Sequence, residues 1–117
     1  MTADMNALVA ILICDSDAYF REELQNFLLA AGYPDVDLAV TVREALAKLR
    51  EKRYKYVLIG VSQPFSCEQR WATVIRRRQP AARILFLVSA ADQPSIRATS
   101  FDHVIKEYVF SNLLELM

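Results

Sequence analysis

Short apolar runs alternate along this chain with longer stretches in which apolar residues recur at helical spacing. Residues 9–14 form a continuous apolar run, rich in β-branched side chains and too short for a helix. Such a run predicts a strand buried on both faces, as in a parallel sheet. Phe20, Leu24, Phe27, Leu28 and Ala31 follow at helical spacing, with Gly32 placed to end the helix and Pro34 closing the unit. Residues 36–40 predict a short second strand. Thr41 and Glu44 have capping-box spacing and open a second helix. Val42, Ala45, Leu46 and Leu49 make its buried stripe, and Glu44 can pair with Lys48 on the outside. Residues 54–61 predict a third strand. The segment after Pro64 predicts a helix buried through Cys67, Trp71, Val74 and Ile75 and ended by Pro80, with residues 83–88 as a fourth strand. Beyond Ser89 the pattern weakens, because residues 91–100 are polar, contain Pro94 and lack a full apolar stripe. Residues 103–105 predict a short fifth strand, and Ser111 is placed to cap a last short helix holding Leu113, Leu114 and Met117. The alternation of strand and helix predicts a parallel sheet with helices on both faces.

Composition narrows the picture. The 117 residues, 54% of them hydrophobic, suit one core, and a single domain over residues 1–117 is expected, its short last helix pointing to the N-terminal part of a longer protein. Fourteen basic residues balance fourteen acidic ones, so no net field draws the chain to nucleic acid or an anionic membrane. The apolar runs are too short to span a bilayer, and the first residues carry Asp4 and no positive charge, unlike a signal peptide. Cys14 and Cys67 read as small buried hydrophobes without metal-site spacing, which favours a reducing cytoplasm. A small unrelated α/β enzyme is disfavoured by the lack of a Gly-rich phosphate loop or a G-x-S-x-G elbow and by a single histidine. Arg76, Arg77 and Arg78 fall in the last turn of a predicted helix, where they complement its dipole better than they argue for nucleic-acid phosphates. Trp71, Phe86 and Phe27 fall on buried stripes and read as core.

Strand 1 ends in Ile11-Leu12-Ile13-Cys14-Asp15-Ser16-Asp17, a proline (Pro64) follows strand 3, Ser89-Ala90 follows strand 4 and Lys106 follows strand 5. With the βα order, this combination resembles the response-regulator receiver family of two-component signalling (CheY-like) over nearly the whole chain. The resemblance implies an α/β, flavodoxin-like doubly wound (βα)₅ parallel sheet of order 2-1-3-4-5, here with a reduced helix 4 and a short helix 5. It also implies a chemistry. An aspartate at the end of strand 3 takes a phosphoryl group, strand-1 acids hold Mg²⁺, a hydroxyl after strand 4 binds phosphoryl oxygens, and a lysine after strand 5 neutralises charge.

Laid on this chain, the family pattern finds much of that site altered. Asp15 matches the first strand-1 acid, Ser16 replaces the second, and Asp17 follows. The phosphoacceptor position falls on Gly60, which has no carboxylate. Ser89 keeps the hydroxyl and Lys106 the ammonium, Glu107 stands where proline is usual, and His103 occupies the switch position. Asp15 and Asp17 are expected either to bind a metal weakly or, as favoured, to solvate the strand end and cap the first helix. Lys106 either pairs with Asp15 or stays solvated. Ser16 and Ser62 read as hydrogen-bonding residues rather than kinase targets. His103 is either a pH-sensitive switch or, as favoured, an exposed histidine.

The implied function is a non-enzymatic, phosphorylation-independent pseudo-receiver of two-component signalling or transcription control, acting through protein contacts. The alternative is a receiver phosphorylated at, or binding a small ligand in, an unusual pocket. No cofactor is expected, Mg²⁺ binding being weak at best. The expected partner is a protein or a second copy, met through the strand 5/helix 5 face at Val104, Phe110, Leu113 and Leu114. Neither membrane nor nucleic acid is expected, save through a separate output domain.

Overall fold

The computed structural model describes residues 7–61, 66–92 and 102–117, the side chains of residues 66–69 excepted. Five strands, β1 (Ile11–Cys14), β2 (Val36–Ala39), β3 (Tyr56–Gly60), β4 (Arg83–Val88) and β5 (His103–Ile105), form one parallel sheet in the order β2-β1-β3-β4-β5. Helices α1 (Ala18–Ala30), α2 (Val42–Glu51), α3 (Ser66–Arg78) and α4 (Val109–Leu116) accompany it, with 3₁₀ turns at Ala90–Asp92 and Lys106–Tyr108. This is the flavodoxin-like order that the receiver resemblance implies.

β1 and β3, and β4 beyond Arg83, are apolar because helices cover both sides of the sheet. Successive residues therefore serve two cores in turn. Ile11, Ile13, Leu58, Leu85 and Leu87 pack with Leu24 and Leu28 of α1 and with Val109 and Leu113 of α4. Leu12, Cys14, Val57, Ile59, Phe86 and Val88 pack with Ala45 and Leu49 of α2 and with Ala72 and Ile75 of α3.

The helix ends follow from local chemistry. Asp17 caps α1 by accepting the Phe20 N–H. Gly32, at φ 97°, closes it, with the Gly32 N–H donating to the Leu29 carbonyl and the Tyr33 N–H to that of Leu28. This is a Schellman stop, which glycine accommodates at no steric cost. Thr41 caps α2 through the Glu44 N–H, and the Glu44 carboxylate returns to the Val40 N–H. It makes no ion pair with Lys48 among the described residues.

Several expectations change. The turn at Lys106–Tyr108 runs directly into α4, so Ser111 lies inside that helix rather than capping it. On α3 the buried positions are Ala72 and Ile75, while Trp71 and Val74 are half-buried and the side chain of Cys67 lies outside the described residues. Phe27 is half-buried and meets Phe110 edge-on, with ring centroids 5.1 Å apart. Val104 and Leu113, expected on a partner surface, are 3% and 0% exposed and belong to the core beneath α1 and α4. Of the weak segment 91–100, only its beginning is described, as part of the turn Ala90–Asp92; residues 93–100 and Ser62 lie outside the described residues.

Candidate functional site at the carboxyl ends of the strands

Parallel strands bring their carboxyl ends to one edge of the sheet, the place where open α/β sheets carry their sites. Asp15 follows β1, Gly60 ends β3, Ser89 follows β4 and Lys106 follows β5. The β1–β3 register pairs Cys14 with Ile59, which sets Asp15 beside Gly60. A Cβ built on Gly60 would lie 2.0 Å from Oδ2 and 2.5 Å from Cγ of Asp15. The Asp15 carboxylate thus fills the volume that a side chain at position 60 would need. Gly60 is not in the left-handed region, so the glycine answers a demand for space rather than for conformation.

Asp15 is 3% exposed, so it does not solvate the strand end as expected from the sequence. Its Oδ1 accepts the Asp17 N–H at 2.9 Å, and Lys106 Nζ stands 2.9 Å from Oδ2. That approach lacks the direction of a hydrogen bond, leaving Oδ2 compensated by charge alone. Lys106 is held from its other side by the ring of Phe20, 4.8 Å from its centroid. Arg21 donates to the Asp15 carbonyl at 2.7 Å. The ion pair between Lys106 and Asp15 is therefore part of the folded structure.

The remaining positions are tied among themselves. Ser89 Oγ donates to Asp92 at 3.1 Å, and the Ala90 N–H is shared by both oxygens of Glu107, each at 3.1 Å. Glu107 thereby fastens the turn after β4 to the turn after β5. Ser16 is exposed and His103 half-buried on β5. Burial, with the Asp15 and Glu44 carboxylates added, pushes the Cys14 thiol up to about 12 against the opposing pull of Arg21. A thiol so placed stays protonated and is no nucleophile.

The donor set does not fit Mg²⁺. The cation requires several oxygen ligands around it, whereas the one buried carboxylate is paired with an ammonium and the neighbouring strand end offers a glycine. No cluster of three or more His, Cys, Asp or Glu suited to a metal occurs among the described residues.

Two polar groupings that the sequence pattern did not reveal lie away from this edge. Lys52 bridges Asp35 and Asp37, and Tyr54 donates its hydroxyl to Asp37 at 2.6 Å. Burial alone would raise the Asp37 carboxyl, but the hydrogen bonds from Tyr54 and Lys52 outweigh it and hold it below the ordinary value. The bond to Asp35 does most to raise the Lys52 ammonium. Gln79, buried just after α3, accepts the Tyr54 N–H at 2.7 Å and donates to the carbonyls of Leu49 and Lys52 at 2.9 and 2.6 Å. Every polar atom of that amide is used, and it joins three elements.

No protein-family model and no curated protein sequence matches the chain. Solved structures do. The response regulator TrrA of Thermotoga maritima, solved in complex with Mg²⁺ and BeF, superposes with a TM-score of 0.75 at 28% identity, over 93% of this chain and 96% of that one. The chemotaxis protein CheY4 of Vibrio cholerae gives 0.73 at 24% identity, over 94% and 96%. The receiver domain of NtrC4 from Aquifex aeolicus gives 0.72 at 18% identity, over 93% of each chain. No helix among the described residues is long and apolar enough to cross a membrane. In fold, sheet order and extent, the chain is similar to CheY-like receiver domains.

Proposed function

We propose that this domain is a phosphorylation-independent, non-catalytic regulatory module of two-component signalling or transcription control, working through protein contacts. The carrying observation is the interlock at the sheet edge. In the receiver pattern, Gly60 stands where the phosphate-accepting aspartate would be, and the space for that side chain is filled by Asp15, already neutralised by Lys106. The charges that would otherwise await a metal and a phosphoryl group satisfy each other. Output then comes from a constitutive surface, because no change of charge at the edge is available to switch it. Of the surface expected near β5, Phe110 and Leu114 remain exposed, joined by Tyr108 of the preceding turn; exposed apolar side chains at this turn and short helix support a contact there.

The test adds Mg²⁺ and beryllofluoride together to the labelled domain and follows its amide resonances. Those of Ser89 and Lys106 should stay in place, and saturable shifts clustered at the strand ends would overturn the reading. Phe110→Asp should weaken self-association in sedimentation, or capture of partners, with the sheet still folded. If substitutions at Ser89 or Lys106 abolish binding while Phe110→Asp does not, a ligand-binding pocket replaces this proposal.

A further inference from the structure

The zero net charge conceals a separation by face. α2 and α3 together hold seven Lys and Arg against three Glu, whereas α1 and α4 hold one Arg against three Glu. The two pairs of helices lie on opposite sides of the sheet. The seam between α2 and α3 does not close. It holds an open cleft of roughly 580 Å³ lined by Val42, Leu46, Ala47 and Trp71, with Arg43 and Arg50 beside them. Arg50 also borders a separate hollow lined by Glu51, Arg53 and Arg78.

None of these four arginines forms a salt bridge among the described residues. Glu44, the acid next to Arg43 in sequence, spends its carboxylate on the Val40 N–H. Arg43 and Arg50, without a salt bridge among the described residues, set a cationic rim beside an apolar floor. Arginine and tryptophan are also the residue types that most often dominate binding energy at protein interfaces.

The geometry selects among anionic partners. Arg43 and Arg50 are two turns apart on α2, about 10.5 Å at 1.5 Å per residue. Acids at i and i+7 of a second helix repeat that distance and leave i+3 and i+4 facing the apolar floor. Nucleic acid offers phosphates but no aliphatic side chain to fill the floor. A second copy of this chain would have to present its acidic α1 and α4 side, a head-to-tail contact that does not close into a dimer.

We infer that the α2–α3 cleft docks an acidic amphipathic helix of a protein partner, with apolar side chains against Trp71 and carboxylates at Arg43 and Arg50. The inference rests on the reading of the domain as a protein-contact module and gives it a second surface, distinct from Phe110 and Leu114.

Trp71 is the single tryptophan of the chain, so its emission reports on the cleft directly. The probe is a synthetic helical peptide with glutamates at i and i+7 and leucines at i+3 and i+4, titrated into the full chain at low salt. A saturable shift of Trp71 emission is expected, with Arg43→Glu plus Arg50→Glu weakening binding by about tenfold or more. Calorimetry with Trp71→Ala should show the same loss. Added salt should weaken the complex. Equal binding by the glutamine version of the peptide, no shift at all, or displacement of the peptide by a random-sequence DNA duplex would each overturn the inference. If the peptide fails while beryllofluoride still has no effect, the cleft is excluded and the phosphate-independent reading stands. A beryllofluoride response with peptide binding intact does the reverse.

Discussion

Replacing Gly60 by alanine measures the interlock between positions 15 and 60 directly. The new Cβ would meet Oδ2 of Asp15 at 2.0 Å, a separation no relaxation of bond angles can absorb, so the carboxylate has to leave. Leaving breaks its hydrogen bond with the Asp17 N–H, and bonds to charged groups contribute about 1.5–3 kcal/mol. It also breaks the ion pair with Lys106, whose side chain is 26% exposed, so only a fraction of the 3–5 kcal/mol typical of a fully buried pair is lost. Against this stands a gain of about 0.5–1 kcal/mol, because alanine loses less chain entropy than glycine where the backbone is not left-handed. The balance is a destabilisation of about 2–3 kcal/mol in urea unfolding. In an Asp15→Ala background the obstacle is gone and only the entropy gain remains. The same Gly60→Ala change should then be neutral or stabilising. A double-mutant cycle therefore predicts a coupling of about 3 kcal/mol with a reversal of sign. An equal cost of Gly60→Ala in both backgrounds would refute the claim that Asp15 occupies the missing side chain's volume.

Three further outcomes follow from the described contacts. Lys106→Met strands a buried carboxylate and should cost about 2–4 kcal/mol in urea unfolding, much of it recovered by adding Asp15→Asn, since a neutral amide needs no counter-charge. Gln79→Ala leaves the Tyr54 N–H and the Leu49 and Lys52 carbonyls without their partner and should cost about 2–4 kcal/mol, with faster hydrogen exchange at the Tyr54 amide. For pH, the folded Cys14 thiol titrates near 12 against an ordinary 9.0, so its contribution is complete below pH 9.0 and is lost as pH rises through that interval. Asp37 has the opposite sign: its lowered value makes its contribution complete above 3.8 and lost as pH falls through the lowered folded value. Urea midpoints of wild type minus Cys14→Ala should shrink on the alkaline side, and those of wild type minus Asp37→Asn on the acid side.

The strands were legible because a strand covered on both sides is apolar along most of its length, whereas their order came with the receiver resemblance, since alternating strands and helices alone leave more than one parallel order open. Gly32, Asp17 and Thr41 were legible because caps are local, needing only neighbours within one turn. What escaped depended on distant partners. Whether Leu113 or Phe110 faces solvent is set by where α4 rests on β5, which a segment of eight residues does not announce. Trp71 has the spacing of a core residue, yet it lines a seam that two helices fail to close. At the candidate site, the absence of a carboxylate at Gly60 was plain from the sequence, and the pairing of Asp15 with Lys106 was one of two readings open there. The occupation of the vacant volume by Asp15 was not legible, because residues 15 and 60 become neighbours only through strand pairing. Gln79 gave no signal at all, since a glutamine after three arginines reads as surface.

The same interlock acts as a ratchet on mutational change. In this chain positions 15 and 60 are coupled: a side chain arriving at 60 displaces the carboxylate at 15 from its pair with Lys106, while a change at 15 alone leaves Lys106 without its counter-ion. A lineage carrying this arrangement cannot regain an acidic group at residue 60 by one substitution without first passing through a less stable chain.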